Sequence, residues 1–256
     1  MEELLEVRQL DYKDLFHEMD FVLHKNRLIT ISGANNCGKT TLLRILSDKY
    51  EKENTIFINH IDITEYSKEE YDNLIQGVFP NHNYFHGKRV LDALCLETEP
   101  INMNQIEFLL EELKLKKEKE INKLNEKEKL KLQIACAILK AKELVIIDQI
   151  EEVLDENEII TLFQLFKKCV KKYKLSFLIS IMNLNYSLYS DELMIIHLNK
   201  VVLQGNPIEV LEKDNMINKS GLEIPFMIDL SVKLKDYELI DKVELNKDSL
   251  VDSLWK

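Results

Sequence analysis

The most constraining feature of this 256-residue chain is the run Gly33-Ala34-Asn35-Asn36-Cys37-Gly38-Lys39-Thr40. It matches G-x-x-x-x-G-K-[ST]. The apolar segment Leu28 to Ser32 (LITIS) precedes it and a helical pattern, Thr40 to Asp48, follows it. Strand, glycine-bearing loop and helix N-terminus in that order form a cradle for phosphate. Glycine lets the backbone approach phosphate oxygens without a side-chain clash. The loop amides supply donors, Lys39 reaches the β- and γ-phosphates, and the Thr40 hydroxyl is placed to hold Mg²⁺. The nucleotide-binding set read from the loop is Gly33, Asn35, Asn36, Cys37, Gly38, Lys39, Thr40 and Thr41. Cys37 reads as a small filler at a variable position of the loop.

Other short apolar runs read as strands buried on both faces. They are Thr55 to Asn59 (TIFIN), Leu144 to Asp148 (LVIID), Ser176 to Ile181 (SFLISI) and Leu193 to His197 (LMIIH). Helical patterns lie between them, as at Ile159 to Lys172. This alternation predicts an α/β fold with a mostly parallel sheet. Asp148, closing the strand LVIID, reads as a second Mg²⁺ group beside Thr40, acting through water.

From about Asn102 to Ala141 the chain is helical in pattern and dense in Lys and Glu, and reads as an insertion between two strands. Its charged run 114–131 reads as a solvated helix face. After Gly205-Asn206-Pro207 the last 50 or so residues read as a small appendage. The net charge of -11 argues against a general nucleic-acid binder. Four widely spaced cysteines, with no CxxC pair, argue against a disulfide framework or zinc site and for reduced, intracellular thiols. The acidic start MEELLEVRQL does not read as a signal peptide. No stretch approaches the roughly 18 consecutive apolar residues of a membrane span.

The phosphate loop is shared by kinases, GTPases and transporter ATPases, and the order of segments around it separates them. After the loop come Gly77-Val78-Phe79, a helical region, Leu124 onward, the Asp148 strand, Leu154-Asp155, and a strand ending near Asn183. Over essentially the whole chain this order resembles the ABC ATPases, whose P-loop NTPase core carries a helical subdomain. The stretch Gly221-Leu222-Glu223-Ile224-Pro225-Phe226 resembles the G-L-x-x-P-F segment of the ATPase subunits of energy-coupling factor (ECF) transporters. Leu230 to Leu234 and the ending Leu250-Val251-Asp252-Ser253-Leu254-Trp255 fit the same tail, and Asn81 to Phe85 resembles their N-P-x-x-x-F segment with His82 for proline.

The resemblance implies a nucleotide-binding domain over 1–208, with a helical subdomain at about 84–141, and an ECF-type appendage over 209–256. It implies ATP and Mg as ligands and a second ABC ATPase chain, identical or different, as partner. It also implies a membrane T component and an S component, and a place at the cytoplasmic face of the cell membrane. Two ATPs would lie at the dimer interface, each between one chain's phosphate loop and the other's signature. Tyr12 would stack on adenine or serve as packing.

Several family positions carry other residues. The signature L-S-G-G-Q falls on Leu124-Asn125-Glu126-Lys127-Glu128. A Glu126 carboxylate about 5 Å from a γ-phosphate would cost ~3 kcal/mol at an effective ε near 20. The helix terminus returns only about 0.3–1 kcal/mol. Repulsion wins unless Glu126 turns outward or Lys127 and Lys129 compensate. The catalytic glutamate falls on Gln149, which can orient water but not accept its proton; losing a positioned base typically costs about 10²–10⁴-fold. The switch histidine falls on Asn183, which does not titrate near neutrality, and the Q-loop glutamine on Pro80. Leu154-Asp155 retain the D-loop pair. Asn125, Glu126, Lys127 and Asp155 are thus the dimer-facing candidates, with Gln149 and Asn183 at altered catalytic positions. Glu151 and Glu152 are nearby carboxylates. Two functions follow: an ATP-binding subunit of an ECF-type importer with weakened hydrolysis, or a nucleotide-clamped regulatory or structural module. A small-molecule P-loop kinase is the third.

Overall fold

In the computed structural model, residues 2–50, 52–79, 85–98 and 100–255 are described. In chain order the elements are β1 (Glu3–Tyr12), β2 (Phe16–His24), β3 (Leu28–Gly33), α1 (Lys39–Ser47), β4 (Ile56–Ile58) and β5 (Ile61–Asp62). Then follow α2 (Lys68–Leu74), β6 (Ile75–Val78), α3 (Val90–Leu96), α4 (Met103–Glu112), α5 (Glu126–Lys140) and β7 (Leu144–Ile147). The chain continues through α6 (Glu156–Tyr173), β8 (Ser176–Ser180), β9 (Glu192–His197) and β10 (Lys200–Gly205). It ends with α7 (Pro207–Leu211), α8 (Asp214–Lys219), α9 (Phe226–Asp236) and α10 (Lys247–Leu254).

Two sheets form. The larger has the order β10-β9-β3-β8-β7-β6, with only β10 antiparallel to its neighbour. The phosphate-loop strand β3 therefore lies between β8 and β9, well inside a mostly parallel sheet, as the sequence predicts. The smaller sheet, β2-β1-β4-β5, is antiparallel in its registered pairs.

Strand alternation distributes side chains to separate cores. Leu28, Val145, Ile147, Phe177 and Ile179 join one cluster with α3 to α6. Ile29, Ile31, Leu144, Ile146 and Leu178 point the other way, into a cluster with α1 and the antiparallel sheet. Since successive strand residues face opposite sides, the continuous apolar runs are explained by a sheet covered on both faces. On β9 the same alternation sends Met194 and Ile196 to the second core. Leu193 and Ile195 go to a third, with Val210, Leu211, Ile217 and Ile228 of the C-terminal helices and Leu222 of the loop between α8 and α9.

Two sequence expectations are corrected here. Thr55 to Asn59 does form a strand, β4, but it pairs antiparallel with β1 through Leu5, Glu6 and Val7 rather than entering the parallel sheet. Run 114–131 is not one solvated helix face. Helix α5 starts only at Glu126, Leu113 and Leu115 are buried upstream, and turns fill most of the interval. Asn125 stops the helix from starting earlier. Its side chain accepts from the Glu128 amide while Glu128 accepts from the Asn125 amide, a reciprocal capping box.

Helix α6 shows why the segment after Asp155 is so regular. Asp155 and Glu158 form another capping box, and Ile159, Leu162, Phe163, Phe166 and Val170 make a buried stripe at helical spacing. Phe166 stacks on Phe177 of β8 with ring centroids 4.7 Å apart, fixing the helix to the sheet.

Candidate functional site

The ends of β3 and β7 and the start of α1 surround a cavity of about 400 Å³. Its wall includes Asn35, Asn36, Cys37, Gly38, Lys39, Thr40 and Thr41 from the loop, and Asp148 and Gln149 from the end of β7. Gly33 lies beneath, as the last residue of β3. The structure therefore brings the loop residues 35–41 together with Asp148, which closes LVIID, and Gln149, which follows it, with Gly33 at the base of the loop.

The glycines are there for room. A Cβ on Gly33 would lie 2.5 Å from the Ile196 carbonyl oxygen and 2.6 Å from Cys37 Sγ. Gly38 has φ +95°, and a Cβ there would meet the Phe16 ring at 2.8 Å. Both positions exclude a side chain, and Gly38 adopts a left-handed conformation that glycine tolerates. Lys39 Nζ donates to the carbonyls of Gly33 (2.5 Å) and Ala34 (3.0 Å), so the ammonium is held over the loop rather than extended into solvent.

Asp148 is buried, and Ser180 Oγ donates to its Oδ1. Ser180 Oγ in turn accepts from the Gln149 amide at 3.1 Å, so one hydroxyl links the tips of β7 and β8. The other carboxylate oxygen, Asp148 Oδ2, is buried without a hydrogen-bond partner. An unsatisfied buried carboxylate oxygen is costly. Its presence in a cavity shared with the Thr40 hydroxyl fits a hard cation with oxygen ligands. Thr40 and Asp148 are the residues that would hold Mg²⁺, which would supply charge neutralisation to the phosphates. Among the described residues there is no cluster of three or more His, Cys, Asp or Glu side chains suited to a metal.

A second cavity, of about 550 Å³, adjoins the first through Leu15 and Thr41. Tyr12 lies in its wall with Tyr50, its ring edge-on to Tyr50 at 6.2 Å. Tyr50 OH donates to the Asp11 carbonyl at 2.9 Å. An aromatic wall continuous with a phosphate cradle can take a base at one end and phosphates at the other.

Asn183 is placed differently. It is exposed at the N-terminus of the short 3-10 turn Leu184–Tyr189, and its Oδ1 accepts from the Asn185 amide at 3.0 Å and from Asn185 Nδ2 at 2.8 Å. Its side chain is engaged in capping that turn. Pro80 and Asn81 to Tyr84 lie outside the described residues, and Phe85 alone of that stretch is described.

The dimer-facing candidates form a separate cluster. Lys127 Nζ donates to Asp155 Oδ2 at 2.9 Å and to Glu158 Oε2 at 2.6 Å, while Lys131 Nζ reaches Glu158 Oε1 at 2.7 Å. The Lys127 ammonium holds the Asp155 carboxyl down at about 2. Lys127 is thus committed to Asp155 and Glu158. Asn125 caps its own helix, and Glu126 is exposed in the first turn of α5.

Residues that motif reading did not place in the site are Leu15, Ser180 and Met182, along with Tyr50 beside Tyr12. Ser180 carried a weak signal, a small polar residue near the end of a buried strand; Leu15 and Tyr50 carried none.

The chain belongs to the ABC transporter family, whose model matches residues 16–151. It is 26% identical to the energy-coupling factor transporter ATP-binding protein EcfA1 of Streptococcus sanguinis, over 100% of this chain and 98% of that one. It is 27% identical to the protein of the same name from Mycoplasma genitalium, over 94% of this chain and 91% of that one. The structure of cbiO1 from Clostridium perfringens, part of the ABC transporter complex cbiONQ, shares the fold. Its TM-score is 0.71 at 21% identity, covering 90% of this chain and 99% of that chain. A bacterial Atm1-family ABC exporter with ATP bound also gives a TM-score of 0.71, at 15% identity, with 86% of this chain and 42% of that chain covered. The ECF-like reading of the sequence agrees with these relatives, and among the described residues no helix is long and apolar enough to cross a membrane.

Proposed function

We propose that the chain is the ATP-binding subunit of an ECF-type importer, gating or energising micronutrient uptake through a membrane T component, with weakened hydrolysis of its own. The observation that carries this reading is the contrast within one cavity. The phosphate cradle and the orphaned Asp148 oxygen are in place, while the next residue is Gln149, an amide. Binding is favoured and proton abstraction by that residue is not. Residues 1–208 form the nucleotide-binding unit and 209–256 the appendage. The relatives named as ECF ATP-binding proteins support the assignment by matching along nearly the whole chain.

Two surfaces fit the partners. The face bearing Asn125, Glu126, Lys127 and Asp155 meets a second ATP-binding chain. A groove of about 920 Å³ between β6 and the end of α5, walled by Gln76, Phe79, Phe85, Leu96, Gln133 and Lys140, takes a helix of the T component, with the S component beyond it. The chain then works peripherally at the cytoplasmic face of the membrane.

Gln149 and the committed Lys127 favour a second reading, a nucleotide-clamped module with little turnover. Co-purification separates the two. The importer reading expects the tagged chain to carry a second ATPase chain and a membrane T component from detergent-solubilised cells. Recovery of neither partner, with Mg-ATP still bound in a Lys39-dependent way, favours the module.

A further inference from the structure

Beyond the family positions, one half-buried carboxylate in the nucleotide cavity has its own bonding. Glu151 follows Gln149 by two residues, in the 3-10 turn Ile150–Glu152. Its Oε2 accepts from the Met182 amide at 2.6 Å and its Oε1 from the Asn183 amide at 3.0 Å. Those amides fall between the end of β8 and the 3-10 turn Leu184–Tyr189. Ile181, just before, donates instead to the Ile31 carbonyl at 2.9 Å. The β8 ladder thus ends at 181, and Glu151 supplies the next two acceptors.

We propose that Glu151 is a positioning residue: a carboxylate strut that fixes the Met182–Asn183 segment against the turn after Asp148 and so sets the γ-phosphate side of the nucleotide cavity. The proposal rests on the nucleotide-binding reading of that cavity. Three features make the strut specific. Glu151, Glu152, Ser180 and Met182 line the same cavity as Lys39 and Asp148, so a shift of the segment moves a wall of the site. Ser180 already ties β8 to β7 through Asp148 and the Gln149 amide. Glu151 extends that tie two residues further, with both oxygens used in parallel. Third, the carboxylate is kept there despite its cost. Burial pushes its carboxyl above the ordinary glutamate range, against the opposing pull of the two amides and the Lys39 ammonium.

Glutamine is the informative replacement. Its single carbonyl oxygen can satisfy one amide, but its NH₂ turns a donor towards the other. One of two neighbouring amides therefore loses its acceptor with almost no change in side-chain volume. The wall it releases lies beside Lys39 and Asp148, where the terminal phosphate of a triphosphate sits, and away from the Tyr12 end. ATP should suffer more than ADP.

The test compares the full chain with E151Q by site-resolved amide hydrogen exchange, thermal unfolding, and equilibrium binding of Mg-ATP and Mg-ADP, with Lys39→Ala as control. Exchange at Met182 or Asn183 should quicken by about tenfold in E151Q, with Ile181 unchanged. The preference for ATP over ADP should fall by a similar factor, also about tenfold. Unchanged exchange at both amides overturns the strut. Faster exchange with the ATP-to-ADP ratio intact overturns its role in the site and leaves a fastener only. An unmodified chain that binds neither nucleotide, and matches Lys39→Ala, overturns the nucleotide-binding reading and the positioning role with it.

Discussion

Lys127 and Asp155 form an ion pair of 2.9 Å across 28 residues of sequence, joining the start of α5 to the cap of α6. By the sequence resemblance, Lys127 falls on a signature position and Asp155 on the D-loop aspartate. Here the two segments are tied within one chain, and Glu158 shares the same ammonium at 2.6 Å.

The pair has a titration consequence. The hydrogen bond from Lys127, with further help from the Glu158 amide, holds the Asp155 carboxyl at about 2. An ordinary aspartate titrates at about 3.9. A folded-state value below the unfolded one contributes stability that is present above the unfolded value and lost as pH falls through the folded one. The relevant window is therefore about pH 4 down to about 2. Lys127→Ala should raise the Asp155 value towards the ordinary one, read by NMR titration of the carboxyl carbon. Thermal stability at pH 7 should hardly move, because the pair is exposed and screened. An Asp155 value that stays near 2 would mean that the helix cap alone sets it.

The packing of α6 on the sheet predicts a large stability loss. Phe166 is fully buried, stacks on Phe177 and lies near Phe163 at a centroid distance of 6.2 Å. Phe166→Ala should cost about 3–5 kcal/mol in urea unfolding. A loss below about 1 kcal/mol would mean that the site collapses around the missing ring.

How much of this was legible follows the range of the interactions involved. LITIS, LVIID, SFLIS and LMIIH read directly because both faces of their sheet are covered, so the strands are apolar throughout. Strand β1 did not. Its register shifts at Leu5, Leu10 and Tyr12 break the alternation that marks a strand with one polar face. Strand β4 read as a strand but in the wrong sheet, because its partner, Leu5 to Val7, is some 50 residues away and nothing local encodes it. The phosphate loop is a contiguous motif, so all eight of its candidates could be named in advance. The Glu151 strut spans 31 residues to Met182 and depends on where two loops end. Asn183 shows the opposite limit. Its position in the chain was legible, but its oxygen is used by its own neighbour Asn185.

Cysteine chemistry gives a direct probe of the loop. Burial pushes the thiols of Cys136 and Cys169 up to about 12, so neither should alkylate near neutral pH. Cys37 and Cys95 are half-buried, as Cys136 is, and Cys37 alone of the four lines the phosphate cavity. Mass spectrometry after brief iodoacetamide treatment should find label at Cys37 and Cys95. Mg-ATP should suppress it at Cys37 alone. Equal protection of both would indicate a change spread across the domain rather than cover at the loop.

Gln149, at the position proposed for a catalytic glutamate, bears on chemistry. Gln149 lies in the cavity wall, its amide fixed to Ser180 Oγ at 3.1 Å and its backbone left-handed at φ 55°. Its side chain can accept a hydrogen bond from water but cannot take the proton. Gln149→Glu changes that single property at nearly constant volume. If this position limits turnover, hydrolysis in the assembled complex should rise by about 10²–10⁴-fold, while Mg-ATP affinity changes little because the cradle is untouched. The pH profile should also change, gaining a carboxylate-dependent acidic limb. If the rate stays flat in a complex whose Lys39→Ala control has lost binding, the missing base is not what limits turnover. The segment Asn125 to Glu128, proposed to face a second chain and tied to Asp155 through Lys127, is then the next element to test.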